Sequence, residues 1–240
     1  MTTTELIAAI RTRFDDLAVP YLVPTATIEE QLSLTQTEFA KATLILYTVA
    51  SAAITAGDPW VTLPSDFFVL KTAILNDVQL RPITLSEMDF GYYTFNGSEN
   101  NSRFDNWRTA TGTPKFVIVD MYADKVRLVP YPDSNDTVSL EGYKVPAAVV
   151  SDSVDPEIPE MYHDLLIAGT LFRLYTMFDI DVYEPTKIQV YSTQWYQGII
   201  EAQDNLRTNL RRQIRIMDLP RGNSFNGSSL KSAANINANG

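Results

Sequence analysis

The stretch Gly112-Thr-Pro-Lys-Phe-Val-Ile-Val-Asp-Met-Tyr-Ala-Asp-Lys-Val-Arg-Leu-Val-Pro-Tyr-Pro132 constrains this chain more than any other. Val117, Val119 and Met121 alternate with Phe116, Ile118 and Asp120; beyond the tip, Val126 and Leu128 alternate with Lys125 and Arg127. Period two on both sides of a polar tip is a β-hairpin, and Pro-Tyr-Pro closes its exit. Helical periodicity lies before and after it. A chain that starts and ends in helix must pack its two ends together and carry the strands as an insertion. The expected fold is therefore α+β. Residues 1–57 and 157–216 form an antiparallel helical bundle, 58–156 an inserted antiparallel, sandwich-like β domain, and 217–240 an extended tail.

Local signals set the elements. Thr2 with Glu5 has capping-box spacing and opens a helix from about Thr3 to Leu17. Thr27 with Glu30 repeats the spacing and predicts a longer helix to about Ala56, with Ile28, Leu32, Phe39, Ala42, Leu46 and Ala50 as its inner stripe and Gly57-Asp-Pro59 as its stop. The apolar run Leu44 to Gly57 reads as part of that buried helix, being short for a membrane span and interrupted by Thr48, Ser51 and Thr55. Trp60–Leu63 and Phe67–Leu75 read as strands, Val78–Arg81 pairs back after an Asn76-Asp77 turn, and Thr84 with Glu87 marks one short helical turn. Gly91 to Arg103 is a polar loop, and Val138 and Leu140 alternate with Ser139 and Glu141 in a further strand. The sheet should be antiparallel with at least one wet face.

Helix resumes near Pro159, with Met161, Leu165, Ala168, Phe172 and Tyr175 on one side and Tyr162, Leu166 and Leu171 widening it. Pro185 opens the last helix, to about Arg215, along a stripe of Ile188, Tyr191, Trp195, Ile199, Ala202, Leu206, Leu210 and Ile214. These two should pair antiparallel against the N-terminal helices. From Met217 the chain is too polar to build a core; it is read as a tail reaching on the order of 80 Å when extended.

Composition narrows the function. At 240 residues and 45% hydrophobic the chain buries a core without staples. With no cysteine, disulfides, thiolate metal sites and thiol nucleophiles are excluded. A net charge of −10 argues against general duplex-DNA binding; the acidity suits solubility and would repel a nucleic acid nearby. No leader is expected, because Arg11, Arg13, Asp15 and Asp16 follow the short apolar run Leu6–Ile10.

Catalytic chemistry is sparse. His163, the sole histidine, stands beside Asp164 with no nucleophile motif; it reads as a polar surface or cap-side residue. Adjacent acids (Asp15/Asp16, Glu29/Glu30, Asp179/Asp181) read as solvated charge rather than a glycosidase pair facing across a cleft. No phosphate loop, dinucleotide fingerprint, nucleophile elbow or calcium loop is present, so no cofactor or metal is expected. One charge cluster, Arg207, Arg211, Arg212 and Arg215, falls on the last helix. Cations there suit the helix dipole, and they could also dock an acidic partner or touch DNA. Tyr92, Tyr93, Phe95, Phe104 and Trp107 either fold back on a core or fill a subunit or tail interface.

The order of features resembles a known family. Leu63-Pro64 leads into a strand, Trp107 precedes Gly112-Thr-Pro114, and a strand ends in Leu128-Val-Pro-Tyr-Pro132. Leu140-Glu-Gly-Tyr143 precedes an acidic loop, and Ile158-Pro-Glu-Met-Tyr162 opens a helix. Over about residues 5–215 this is similar to the head-to-tail adaptor (connector) proteins of tailed bacteriophages, including the tail-tubular-A-like proteins of short-tailed phages. The resemblance implies a homo-oligomeric ring of about twelve copies below the portal protein, in the virion neck. Double-stranded DNA would pass through its channel without specific binding, tail or nozzle proteins would attach beneath, and no membrane is involved. Portal docking would then fall to Arg207, Arg211, Arg212 and Arg215 and to Leu219, Pro220, Phe225, Leu230 and Ile236 of the tail. Some relatives in that group are described as cell-wall hydrolases, so a muralytic enzyme is the alternative, and another tail-tube or fibre-attachment module the third reading.

Overall fold

Helix α1 (Thr3–Phe14) begins where its capping box places it: the Glu5 N–H donates to the Thr2 hydroxyl at 3.2 Å and the Thr2 N–H to the Glu5 carboxylate at 2.8 Å. It stops three residues earlier than expected, because Asp15 takes the left-handed conformation (φ 64°). The computed structural model describes residues 1–90, 107–150, 153–177 and 184–217, without the side chains of 90 and 209–217.

Helix α2 (Thr25–Thr43) starts behind Pro24 and uses no side-chain cap, so the Thr27–Glu30 box does not form. It also ends well short of Ala56. Leu44 turns left-handed (φ 54°), and Tyr47–Ile54 becomes strand β1. The run Leu44–Gly57 lacks a polar face that would tell helix from strand. Pairing decides: β1 lies antiparallel on β7 (Asp136–Lys144) through eight residue pairs, from Tyr47↔Tyr143 to Ile54↔Asp136. β-Branched Thr48, Val49 and Ile54 suit the pleat better than a helix. Gly57 (φ 81°) then makes the turn into β2 (Trp60–Thr62).

The remaining strands are β3 (Phe67–Leu75), β4 (Val78–Ile83), β5 (Phe116–Ile118) and β6 (Lys125–Val129). They join one seven-stranded sheet in the order β1-β7-β3-β4-β5-β6-β2. Asn76 and Asp77, both at positive φ, turn β3 into β4, and the β5–β6 hairpin pairs antiparallel as its alternation requires. The sheet is mixed rather than wholly antiparallel. β4 and β5 run parallel, Arg81↔Phe116 to Ile83↔Ile118, because the chain between them is long enough for a crossover and carries helix α3 (Leu85–Phe90). Ala73, Leu80, Val117, Leu128, Val138 and Leu140 meet in a single core, so the two halves of the sheet curl face to face. A smaller cluster of Ile83, Met88, Trp107, Ile118 and Val129 lies under α3. That cluster covers the side of β6 that carries Arg127, which is buried there.

After a single 3-10 turn (Glu160–Tyr162), α4 (His163–Tyr175) and α5 (Pro185–Met217) return to α1 and α2. Leu6, Ile10, Ile28, Leu32, Phe39, Leu166, Leu171 and Trp195 form their common core. Each such fully buried aliphatic side chain contributes roughly 1.5–3 kcal/mol. Met161 lies outside it and is exposed; it precedes α4 and points away from the stripe. Contacts step in opposite directions along α4 and α5: Gly198 sits against Leu165, Trp195 against Gly169, and Tyr191 stacks on Tyr175. The two glycines let the helix axes approach closely.

Candidate functional site

A groove of about 450 Å³ opens where the helices meet the sheet. Its floor comes from the end of α2 and the short link to β1, with Ala42, Leu44 and Ile45. One wall is the outward face of the sheet. Tyr47 and Tyr143 are register partners with rings 5.8 Å apart at 73°, and Lys71 Nζ lies 5.4 Å from the centre of the Tyr47 ring. The Tyr47 hydroxyl donates to the Glu141 carboxylate, and this bond, with some burial, pushes the phenol up to about 12. The other wall is α5. Gln203 Nε2 donates to the Ala42 carbonyl at 2.7 Å and ties α5 to the end of α2, and Leu206 and the exposed Arg207 stand one turn further on. The groove is thus apolar at its base and carries two cations at its rim, Lys71 and Arg207, on a chain of net charge −10.

A second cluster surrounds Arg127. Its guanidinium carbon lies 4.7 Å from the Trp107 ring centre, 5.2 Å from Tyr131 and 5.6 Å from Trp60. It donates to the Tyr131 hydroxyl at 2.8 Å and to the Arg108 carbonyl at 3.0 Å. Burial pushes the guanidinium below its ordinary value, against the neighbouring Tyr131. Three π-faces substitute for part of the lost hydration. Trp107 itself is buried, and its Nε1 donates to Asp89 at 3.0 Å.

A third polar group closes the α1–α2 connection. Arg11 and Asp16 pair at 2.7 Å, Arg11 also reaches the Val23 carbonyl and Thr25 hydroxyl, and Asp16 accepts the Leu22 and Val23 N–H groups. Among the described residues none of these three clusters sets a nucleophile beside a base. Among the described residues no group of three or more His, Cys, Asp or Glu could hold a metal ion. Of the two sequence readings for His163, the cap-side one holds: it is the C-cap of the 3-10 turn and the first residue of α4, buried rather than at the surface, and its Nε2–H donates to the Ile158 carbonyl at 2.9 Å.

Of the residues singled out from sequence, Arg207 is exposed on α5 and lines the groove. Arg211, Arg212 and Arg215 lie on α5, but their side chains are outside the described residues. Tyr92, Tyr93, Phe95 and Phe104 of the loop, and Leu219, Pro220, Phe225, Leu230 and Ile236 of the tail, also lie outside them. Sequence reading missed Lys71, Tyr47 and Tyr143, which share a face only once β1 is known to be a strand. It missed the Arg11–Asp16 pair as well, although the five-residue spacing across a helix end was visible.

A family model described as SU10 adaptor protein matches residues 1–216. No curated protein matches the chain. The matched span takes in all of α1 to α4, the seven strands, the groove and all but the last residue of α5. On that match the chain belongs to the SU10 adaptor protein family of phage head-to-tail adaptors.

Proposed function

We propose that this adaptor assembles as a ring of about twelve copies beneath the portal protein, lengthens the DNA channel and offers tail or nozzle proteins a platform. The observation that carries the proposal is the family match over residues 1–216. Charge supports it: at −10 the chain repels passing duplex rather than gripping it. A helical unit and an inserted β unit, with residues 217–240 as a tail, give each copy unlike faces for its neighbours. In this reading α5's arginines and the tail meet the portal, and the aromatic loop with Tyr92, Tyr93, Phe95 and Phe104 meets a neighbouring copy or the tail, while Trp107 stays in the chain's own core. The site of action is the virion neck; no described helix is long and apolar enough to cross a membrane.

Mixing the purified chain with native portal should yield bound rings of matching symmetry by electron microscopy. Persistent failure to bind would remove the proposal. The rival, a virion-associated cell-wall hydrolase, requires peptidoglycan turnover that survives purification and is abolished by one carboxylate substitution.

A further inference from the structure

The segment Asp15–Leu22 is an apolar projection. Leu17 is 62% exposed, Val19 80%, Leu22 53% and Tyr21 44%. Four large apolar side chains in six residues at a loop tip are costly to leave in water. The loop is held in shape from beneath: the Asp16 carboxylate accepts its Leu22 and Val23 N–H groups at 2.8 and 3.1 Å, and the Arg11 guanidinium lies 3.7 Å from the Tyr21 ring centre. A projection so fixed loses little conformational entropy on binding.

The groove supplies the converse shape. The groove is mainly apolar and open to solvent, and at about 450 Å³ it falls within the range of binding clefts, roughly 300–1,000 Å³. Its rim cations, Lys71 and Arg207, face outward, and exposed Asp15 stands at the base of the projection with the opposite charge. Projection and groove lie at opposite ends of α2, whose 19 residues separate them by ~28 Å. They cannot meet within one chain.

We infer that the Asp15–Leu22 projection of one copy seats in the α2–α5–sheet groove of the next, with Asp15 set against Lys71 and Arg207. The inference rests on the ring proposed above and gives it a contact. Unlike surfaces on one copy, joined head to tail, generate a ring or a helix rather than a closed pair.

The absence of native cysteine makes the test clean. Val19→Cys and Arg207→Cys chains, each singly substituted, are co-assembled on portal rings and treated with a short bismaleimide. The mixed dimer should exceed either homodimer at least tenfold. The doubly substituted chain should give a ladder beyond dimer. Val19→Asp, at an exposed position, should keep its circular dichroism and Tm yet reduce ring yield tenfold or more. Lys71→Glu should weaken assembly about fivefold and Asp15→Lys should restore it in the double variant. Rings without the mixed dimer, a ladder that stops at dimer, cross-linking of Val19→Cys to portal instead, or wild-type assembly of Val19→Asp would each overturn the contact while leaving the ring intact. If wild-type chains form no ring on the portal, the ring proposal fails first and this contact with it.

Discussion

Arg11 Nη1 donates to Asp16 Oδ2 at 2.7 Å, with the two side chains only 7% and 5% exposed. The pair spans the end of α1 and fixes the turn into α2. Burying two charges is costly, and the surrounding hydrogen bonds offset that cost only while both partners remain. Asp16→Ala and Arg11→Ala should each lower unfolding free energy by about 3–5 kcal/mol in urea titrations. The double variant should lose much less than the sum. Strict additivity would show that the pair is not coupled.

The α4–α5 crossing should respond differently at its two glycines. A Cβ on Gly169 would stand 2.6 Å from Trp195 and 2.7 Å from Thr35, both tightly packed. Gly169→Ala should therefore destabilise by about 1–3 kcal/mol despite the helix-propensity gain of ~1 kcal/mol. A Cβ on Gly198 meets the flexible end of the half-buried Leu165 side chain, which can swing aside. Gly198→Ala should be near neutral. Equal losses at both would refute this account of the crossing.

Arg127 should not tolerate its usual replacement. Lysine keeps the charge but cannot lie flat against Trp107, Trp60 and Tyr131 or reach both of its oxygen partners. Arg127→Lys should cost about 1–3 kcal/mol, since a buried acceptor or donor is left unpaired. Near-ultraviolet circular dichroism should report the change through the rings around it.

Tyr47 should be a late-titrating phenol. Its hydrogen bond to Glu141 favours the protonated form in the folded chain, at about 12 against an ordinary value of 10.0. Between those values the unfolded chain binds fewer protons than the folded one, so the stabilisation is complete below pH 10 and is lost as pH rises toward 12. Ultraviolet absorbance titration of the phenolates should show a late-ionising tyrosine that unfolding returns to the ordinary range. Tyr47→Phe should remove that late phenol and flatten the loss of stability.

Removal of residues 217–240 should leave thermal unfolding of the rest unchanged, because among the described residues α5 is anchored in the shared helix core by Trp195, Ile199 and Ala202. Attachment to the portal should weaken. Unchanged attachment would take the tail out of the mechanism.

Where a signal is local, the amino-acid order alone determined the outcome. The Thr2–Glu5 and Thr84–Glu87 caps, the Asn76-Asp77 turn, the 116–129 hairpin and the stripe on α5 through Trp195, Ile199 and Ala202 each need only neighbours within a few residues. β1 was different. Its run of Thr, Val, Ala, Ser and Ile satisfies a helix or a strand equally well, and the eight pairs it makes with β7, some ninety residues away, chose the strand. Arg127 carried the alternation of an outward position, yet Trp107 and the cluster under α3 covered that side. The groove is the same kind of fact. Tyr47, Lys71, Tyr143 and Arg207 are far apart in the chain, and only the end of α2, the register of β1 on β7 and the crossing of α5 bring them to one rim. Periodicity is a property of a segment; burial and juxtaposition belong to what packs against it.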